Sequence, residues 1–271
     1  MEKLYIKKEN LKKNLRLFDC LVVAFSGGVD STFLLAVAHE VLKEKVIAVT
    51  SHSSLHFNEE RTDAVRLAKK IGVKHIIINS NELSLEEFCL NTHERCYICK
   101  KNLFQEMEKV INIAKVKTAV IVHGANMDDL DDYRPGFRAA EEFNITAPLI
   151  TAGLTKAEIR KLSQKMGLET WNKPSMSCLA TRIPYYTNIS EKLLVKVAGA
   201  ERVLKDAGFE DCRVRYHGDV ARIEISASSF QKIMQVNIRT DIIKKIKEIG
   251  FIYVVLDLDG YVQGSMNRMR I

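Results

Sequence analysis

Leu4, Ile6, Leu11, Leu15 and Leu17 recur among charged positions in residues 2–17, a spacing that predicts an amphipathic helix. The pattern then changes. Cys20-Leu21-Val22-Val23-Ala24-Phe25 is short and apolar without alternation, which predicts a strand buried on both faces, as in parallel sheets. It runs into Ser26-Gly27-Gly28-Val29-Asp30-Ser31, and a helix is expected over about 32–42. Further strands are expected at 46–50, 75–78 and 118–123, with helices near 59–71, 83–90 and 103–114 between them. Strands alternating with helices through short connections predict an α/β fold, a doubly wound parallel sheet. Beyond Pro184 the order differs. A helix at 190–205 precedes strands at 213–216 and 220–225, joined by a His217-Gly218-Asp219 hairpin turn, then helical residues to 248 and a strand at 253–257. This reads as a smaller C-terminal α+β domain for substrate binding or oligomerisation. The expected division is 1–183 and 184–271, with no repeat or low-complexity linker to mark it.

Composition narrows the class. The 271 residues suit one large domain or two modest ones, and 46% hydrophobic with 28% charged residues is the balance of a globular chain. No apolar run reaches the ~20 residues that span a bilayer, and residues 1–14 lack an apolar signal core. A cytoplasmic protein is expected. The net charge of +7 favours anionic partners: nucleotides, phosphorylated small molecules or RNA. The basic residues are spread along the chain, so nucleic acid is not demanded.

The segment after the first strand carries the clearest chemistry. Gly27 and Gly28 let backbone amides approach an anion, and the following helix start aims free N–H groups and a partial positive charge at the same point. Ser26 and Ser31 add hydroxyl donors. Asp30 would repel a bare phosphate and makes sense as a Mg²⁺ partner. No Gly-Lys-Ser/Thr closes the loop, so it is not a Walker A motif. The rule that ligands bind at the carboxyl ends of parallel strands places the nucleotide here. The same edge should carry Ser51-His52-Ser53 and Gly124-Ala125-Asn126, with Asp128 and Asp129 close behind.

The cysteines are Cys20, Cys89, Cys96, Cys99, Cys178 and Cys212. In a reducing cytosol they are thiols, nucleophiles or metal ligands before they are disulfides. Cys96-Tyr97-Ile98-Cys99, flanked by Arg95, Lys100 and Lys101, fits zinc, a redox dithiol or part of an iron–sulfur site. The third cysteine in a chemically suggestive setting is Cys178, within Lys173-Pro174-Ser175-Met176-Ser177-Cys178-Leu179-Ala180-Thr181-Arg182. Three thiolates leave one iron of a four-iron cluster open to an extra sulfide. Cys20 and Cys89 read as core residues, and Cys212 has no expected role.

Ser26 to Ser31 resembles the PP-loop of the ATP-pyrophosphatase superfamily, whose members split ATP into AMP and pyrophosphate. A narrower resemblance spans nearly the whole chain. Gly124 to Asp129, Asp132-Tyr133-Arg134-Pro135-Gly136, Ala147-Pro148-Leu149, Gly153-Leu154-Thr155-Lys156, Lys173 to Pro184, Arg213 to Asp219 and Gly264-Ser265-Met266-Asn267 look like the LarE family. These are ATP-dependent sulfur-insertion enzymes of nickel-pincer cofactor synthesis, which serves lactate racemase maturation. The resemblance implies ATP and Mg as cofactors, with Ser26, Gly27, Gly28, Asp30, Ser31, Gly124 and Asp128 at the nucleotide. It implies pyridinium-3,5-biscarboxylic acid mononucleotide as substrate, each carboxylate becoming a thiocarboxylate. It implies Cys178 as the sulfur-bearing cysteine and, because the Cys96/Cys99 pair is present, the branch holding a [4Fe-4S] cluster on Cys96, Cys99 and Cys178. Arg182 is expected to neutralise a carboxylate near Cys178. Arg213 and Arg215, alternating on a strand and so on one face, are expected to grip the substrate phosphate. A homo-oligomer, a hexamer by resemblance, is expected, without membrane and without nucleic acid. A tRNA thiolase and a non-catalytic nucleotide-binding module with structural zinc are the alternatives. One departure is Tyr186, where the family pattern has glycine after Ile183-Pro184-Tyr185.

Overall fold

A computed structural model describes residues 2–113, 118–130, 135–174 and 177–262. The expected matches at Asp132-Tyr133-Arg134, Ser175-Met176 and Gly264-Ser265-Met266-Asn267 lie outside the described residues. The chain forms two units: Met1–Glu82 with His93–Met176, and Leu83–Thr92 with Ser177–Ile271.

The first unit holds α1 (Glu2–Leu15), β1 (Cys20–Ala24), α2 (Val29–Leu42), β2 (Val46–His52), α3 (Asn58–Ile71) and β3 (Lys74–Asn79). After α4 (Glu86–Cys89), which belongs to the other unit, come α5 (Arg95–Ile113), β4 (Ala119–His123), α6 (Gly136–Glu142), α7 (Pro148–Thr151) and α8 (Lys156–Lys165). Among the described residues the strands form a parallel sheet in the order β3-β2-β1-β4. Its uninterrupted apolar strands follow from burial on both faces. Leu21, Val23, Val46 and Ala48 join one core with residues of α1, α2, α3 and α8, while Val22, Ile47 and Val49 join another with Phe104, Met107 and Ala139 of α5 and α6. This is the doubly wound α/β fold expected from the sequence. In α1, Leu11 and Leu15 are buried and Leu4 packs beside them, but Ile6 and Leu17 are exposed, Leu17 lying beyond the helix end. Because β1 is central and the order reverses around it, the crevice between the carboxyl ends of β1 and β4 is the switch point where ligands bind in such sheets.

The second unit comprises α9 (Glu191–Asp206), β5 (Cys212–His217), β6 (Val220–Ile225), α10 (Phe230–Ile233), α11 (Val236–Glu248) and β7 (Tyr253–Leu256). β5 and β6 form the expected hairpin, with Gly218 at φ +64° in its two-residue turn. β7 adds parallel to β6. Leu204 of α9 and Ile242 and Ile246 of α11 pack on Val214, Ile223 and Ile225 to form the core. Residues 83–92 join this unit through Asn91, fully buried, whose amide nitrogen donates to the carbonyls of Ile183 (3.4 Å), Pro184 (2.7 Å) and Thr187 (3.1 Å). Tyr186 N donates back to Asn91 O (3.0 Å) and Ile189 N to Cys89 O (2.8 Å). The unit therefore begins at Ser177, earlier than the 184 expected, and draws in a segment from the chain's first half.

Candidate active site

The loop after β1 is shaped by its own residues. Gly27 has φ +70°, a left-handed conformation that disfavours any side chain, although a Cβ there would meet Ala64 Cα of α3 only at an ordinary contact of 3.4 Å. Ser26 and Ser31 hydroxyls lie 3.1 Å apart, Gly28 N donates to Ser26 Oγ (3.3 Å) and Ser26 N to Ser31 Oγ (3.3 Å). Gly28 is the N-cap of α2, and no side chain caps that helix. Its first-turn amides and the positive end of its dipole point into the loop.

The carboxyl end of β4 closes on this loop. A Cβ at Gly124 would lie 2.9 Å from Ser31 N, a distance real Cβ atoms do not adopt, so glycine permits the approach. Asn126 N donates to Asp129 Oδ2 (3.0 Å) and Asp128 N to Asn126 Oδ1 (3.0 Å). Asp128 Oδ2 accepts from Lys156 N (3.1 Å) at the first residue of α8. That helix opens with a capping box: Glu158 N donates to Thr155 Oγ1 (3.3 Å) and Thr155 N to Glu158 Oε2 (3.0 Å).

Lys156 Nζ pairs with Asp30 Oδ2, while Asp30 Oδ1 is buried without a hydrogen-bond partner among the described residues. Burial raises the Asp30 carboxyl above its usual range, Lys156 opposes the rise and nearby Asp129 adds to it. A buried carboxylate oxygen with open lone pairs beside a phosphate loop fits Mg²⁺, which takes oxygen ligands. Lys156 stands outside the residues the sequence singles out for the site. A signal was present: a cation in the first turn of a helix opposes the dipole unless an anion answers it.

The cysteines fall in both units. Cys96 and Cys99 lie in the first turns of α5, which begins at Arg95, eight residues before the helix start expected near 103. A spacing of three on a helix puts the two thiols on one face. Tyr97 between them is clamped: its hydroxyl donates to Glu142 (2.8 Å) and the Arg138 guanidinium lies 3.8 Å from its ring centre. Cys178, partly exposed, caps the single turn Leu179–Arg182 in the second unit. Among the described residues no three His, Cys, Asp or Glu side chains converge on a metal-sized site. Cys20 and Cys89 are half-buried rather than core, and Cys212 is fully buried, which pushes its thiol up to about 12.

Arg182 does something other than what the sequence suggests. It is 2% exposed. Its Nε and Nη2 donate to the two oxygens of buried Glu201 (2.7 and 3.0 Å). Its Nη1 donates to the carbonyls of Ser177 (2.6 Å) and Cys178 (3.0 Å) and to Thr181 Oγ1 (3.0 Å). The guanidinium is thus occupied in fixing the backbone around Cys178 rather than standing open to a substrate carboxylate. Arg213 and Arg215 share a face of β5, as expected, but both are buried. Arg215 donates to Glu224 Oε2 (2.8 Å) and to Thr181 O (3.1 Å), a second tie on the Cys178 turn. Arg213 donates to Cys212 O (2.7 Å) and lies over the Tyr261 ring (4.8 Å). Glu201 and Glu224 carried no local signal in the sequence, because their partners are brought by the fold.

No helix among the described residues is long and apolar enough to cross a membrane. A parallel sheet whose first strand delivers this glycine–serine–aspartate loop to the switch point defines an ATP-pyrophosphatase-type nucleotide-binding protein. The family model for NAD synthase matches residues 4–130. The chain is 34% identical to pyridinium-3,5-bisthiocarboxylic acid mononucleotide synthase of Lactiplantibacillus plantarum, over 98% of this chain and 96% of that one. It is 36% identical to an uncharacterized protein of Synechocystis sp., over 97% of each. It is 26% identical to the tRNA-specific 2-thiouridylase MnmA of Rickettsia peacockii, over 70% of this chain and 62% of that one. The chain belongs to the LarE family of the PP-loop superfamily, and it is an ATP-dependent sulfurtransferase.

Proposed function

We propose that the protein converts the carboxylates of pyridinium-3,5-biscarboxylic acid mononucleotide to thiocarboxylates in nickel-pincer cofactor synthesis, using one ATP for each. Beyond the full-length likeness to a synthase of that product, the reading is carried by one observation: a partly exposed thiol, Cys178, on a turn fixed by buried ion pairs. A sulfur-transferring cysteine needs both access and a set position.

In this reading the amides of Gly27 and Gly28 and the hydroxyls of Ser26 and Ser31 hold the triphosphate, with Gly124 allowing the close approach. Asp30 takes Mg²⁺ on its open oxygen, and Lys156 and Asp128 border the phosphates. The substrate carboxylate attacks the α-phosphorus, the bond to pyrophosphate breaks, and the carboxyl becomes an acyl-adenylate. A free carboxylate is a poor electrophile, whereas AMP is a good leaving group. Sulfur then takes the place of AMP at the same carbon. Arg213 and Arg215 are proposed for the substrate phosphate. Arg182 holds the Cys178 turn. Cys96, Cys99 and Cys178 would hold a [4Fe-4S] cluster, and that cluster would supply the sulfur.

Iron and acid-labile sulfide, measured with a visible spectrum on anaerobically purified protein and a Cys99→Ala variant, test the finer claim. About four of each per chain, lost in the variant, are expected. Zinc or no metal, with the variant unchanged, overturns the cluster and leaves Cys178 as a sacrificial nucleophile. The likeness to a tRNA thiolase supports a second reading, which tight retention of tRNA with steep salt dependence would favour.

A further inference from the structure

Lys173 plays no part in the site as described, yet its ammonium lies against the phosphate loop. Nζ is 3.3 Å from the carbonyl oxygen of Gly27 and 3.0 Å from Asp63 Oδ2 of α3. The lysine side chain is 19% exposed, whereas that of Asp63 is 40% exposed. The backbone carrying Lys173 is anchored as well. Arg160 donates to Lys173 O (2.9 Å) and to Trp171 O (2.8 Å), and Lys173 N donates to Thr170 O (3.0 Å). This is not a trailing surface cation, because both its base and its tip have set positions.

We propose that Lys173 is a nucleotide-binding residue that takes the outer phosphates of ATP, and then the departing pyrophosphate, on the Gly27 side of the loop. The proposal rests on the ATP-binding reading of that loop and not on the sulfur chemistry. The loop's own donors are neutral amides and hydroxyls. A triphosphate concentrates several negative charges there, and cations within hydrogen-bond reach must answer them. Lys156 stands on the α8 side, held by Asp30. Lys173 stands at Gly27, held by Asp63. An ion pair with a well-exposed carboxylate is weak, so exchanging Asp63 for phosphate costs little. Asp63 is not stranded by the exchange, because Arg66 Nη2 lies 3.5 Å from its Oδ1. Selectivity follows: Lys173 acts on ligands that carry β- and γ-phosphates, not on AMP.

The competing account is that Lys173 and Asp63 merely staple residues 169–173 to α3. Titration calorimetry on the full chain separates the two, with Mg-ATP, Mg-pyrophosphate and AMP as ligands for wild type, Lys173→Gln, Lys173→Arg and Asp63→Asn. Each variant's thermal transition is recorded to confirm folding. Lys173→Gln is expected to weaken ATP and pyrophosphate about tenfold or more, the loss of one charge-assisted contact, while AMP holds. Lys173→Arg restores most of the ATP affinity, and Asp63→Asn binds ATP at least as well as wild type, because the lysine is released to the phosphates. Three results overturn the proposal: unchanged ATP binding in Lys173→Gln, an equal loss for AMP, or a loss in Asp63→Asn matching that in Lys173→Gln. A wild-type protein that binds no ATP sinks the parent reading as well. One that binds ATP but transfers no sulfur leaves this proposal standing.

Discussion

The two chemically equipped turns of this molecule are built on opposite principles. The ATP loop is made of backbone. The bonds that shape it, Ser26 N to Ser31 Oγ among them, close within five residues around a left-handed glycine and a helix start without a side-chain cap. Among the described residues only lysines reach it from afar, Lys156 at Asp30 and Lys173 at Gly27. The Cys178 turn is made of charge. Arg182 reaches Glu201, 19 residues away, and Arg215 reaches back 34 residues to the Thr181 carbonyl. A backbone loop meets an anion with partial charges from its amides, and Asp30 is the one ionisable side chain it buries. A turn held by guanidinium–carboxylate pairs gains rigidity, but every one of its charges depends on its partner.

The largest effect should come from breaking that dependence. Glu201→Ala leaves Arg182 at 2% exposure without its counter-ion. A loss of roughly 3–5 kcal/mol in denaturant unfolding of the second unit is expected. A variant as stable as wild type would show that the pair is dispensable and that the turn owes its shape to its backbone after all. Next comes Asp30→Asn, which keeps the shape of the loop and removes the carboxylate charge proposed for Mg²⁺. Pyrophosphate release should fall about 10²–10³-fold with the fold intact. The same residue sets a pH dependence. Its carboxyl is raised by burial, so the protonated form persists above the usual aspartate range. That form stabilises the nucleotide-free protein at low pH, a contribution lost as pH rises through the raised value. Mg-ATP binding runs the other way and weakens as pH falls through it. Calorimetry across acidic pH reads the effect, and Asp30→Asn should flatten the profile. The smallest change is Tyr186→Gly. Tyr186 has φ +64° and is exposed, a conformation costly for a side chain and free for glycine. Relief of about 1 kcal/mol, offset in part by chain entropy, should raise the midpoint without touching nucleotide binding.

That contrast also decides what could be read in advance. β1, its loop and the helix after it were legible because apolar continuity, a glycine pair and a helix start all act within a dozen residues. The start of α5 is harder to read. Cys96, Cys99, Leu103 and Met107 keep helical spacing, but arginine and lysines around the first two disguise it. Tyr186 was noticed as a departure from glycine, and its positive φ supplies the reason. The nearness of Arg182 to Cys178 is legible in the sequence, whereas its pairing with Glu201 is not, since Glu201 lies on the far side of a helix boundary. Asn91 gave no sign at all. A lone asparagine between Leu90 and Thr92 shows no hint that its carboxamide is fully buried on carbonyls 92 to 96 positions away.

That long separation has a consequence for how the protein is made. Asn91 is synthesised well before Ile183, Pro184 and Thr187, the carbonyls it will bind. At ribosomal speeds of about 5–20 residues per second, those 92 residues amount to a wait of roughly 5–20 s. During it α4, with Phe88 destined for burial, has no second unit to join. A nascent chain arrested before residue 183 would therefore offer an apolar segment to chaperones, and a fragment begun at Ser177 would lack the piece that closes its own turn.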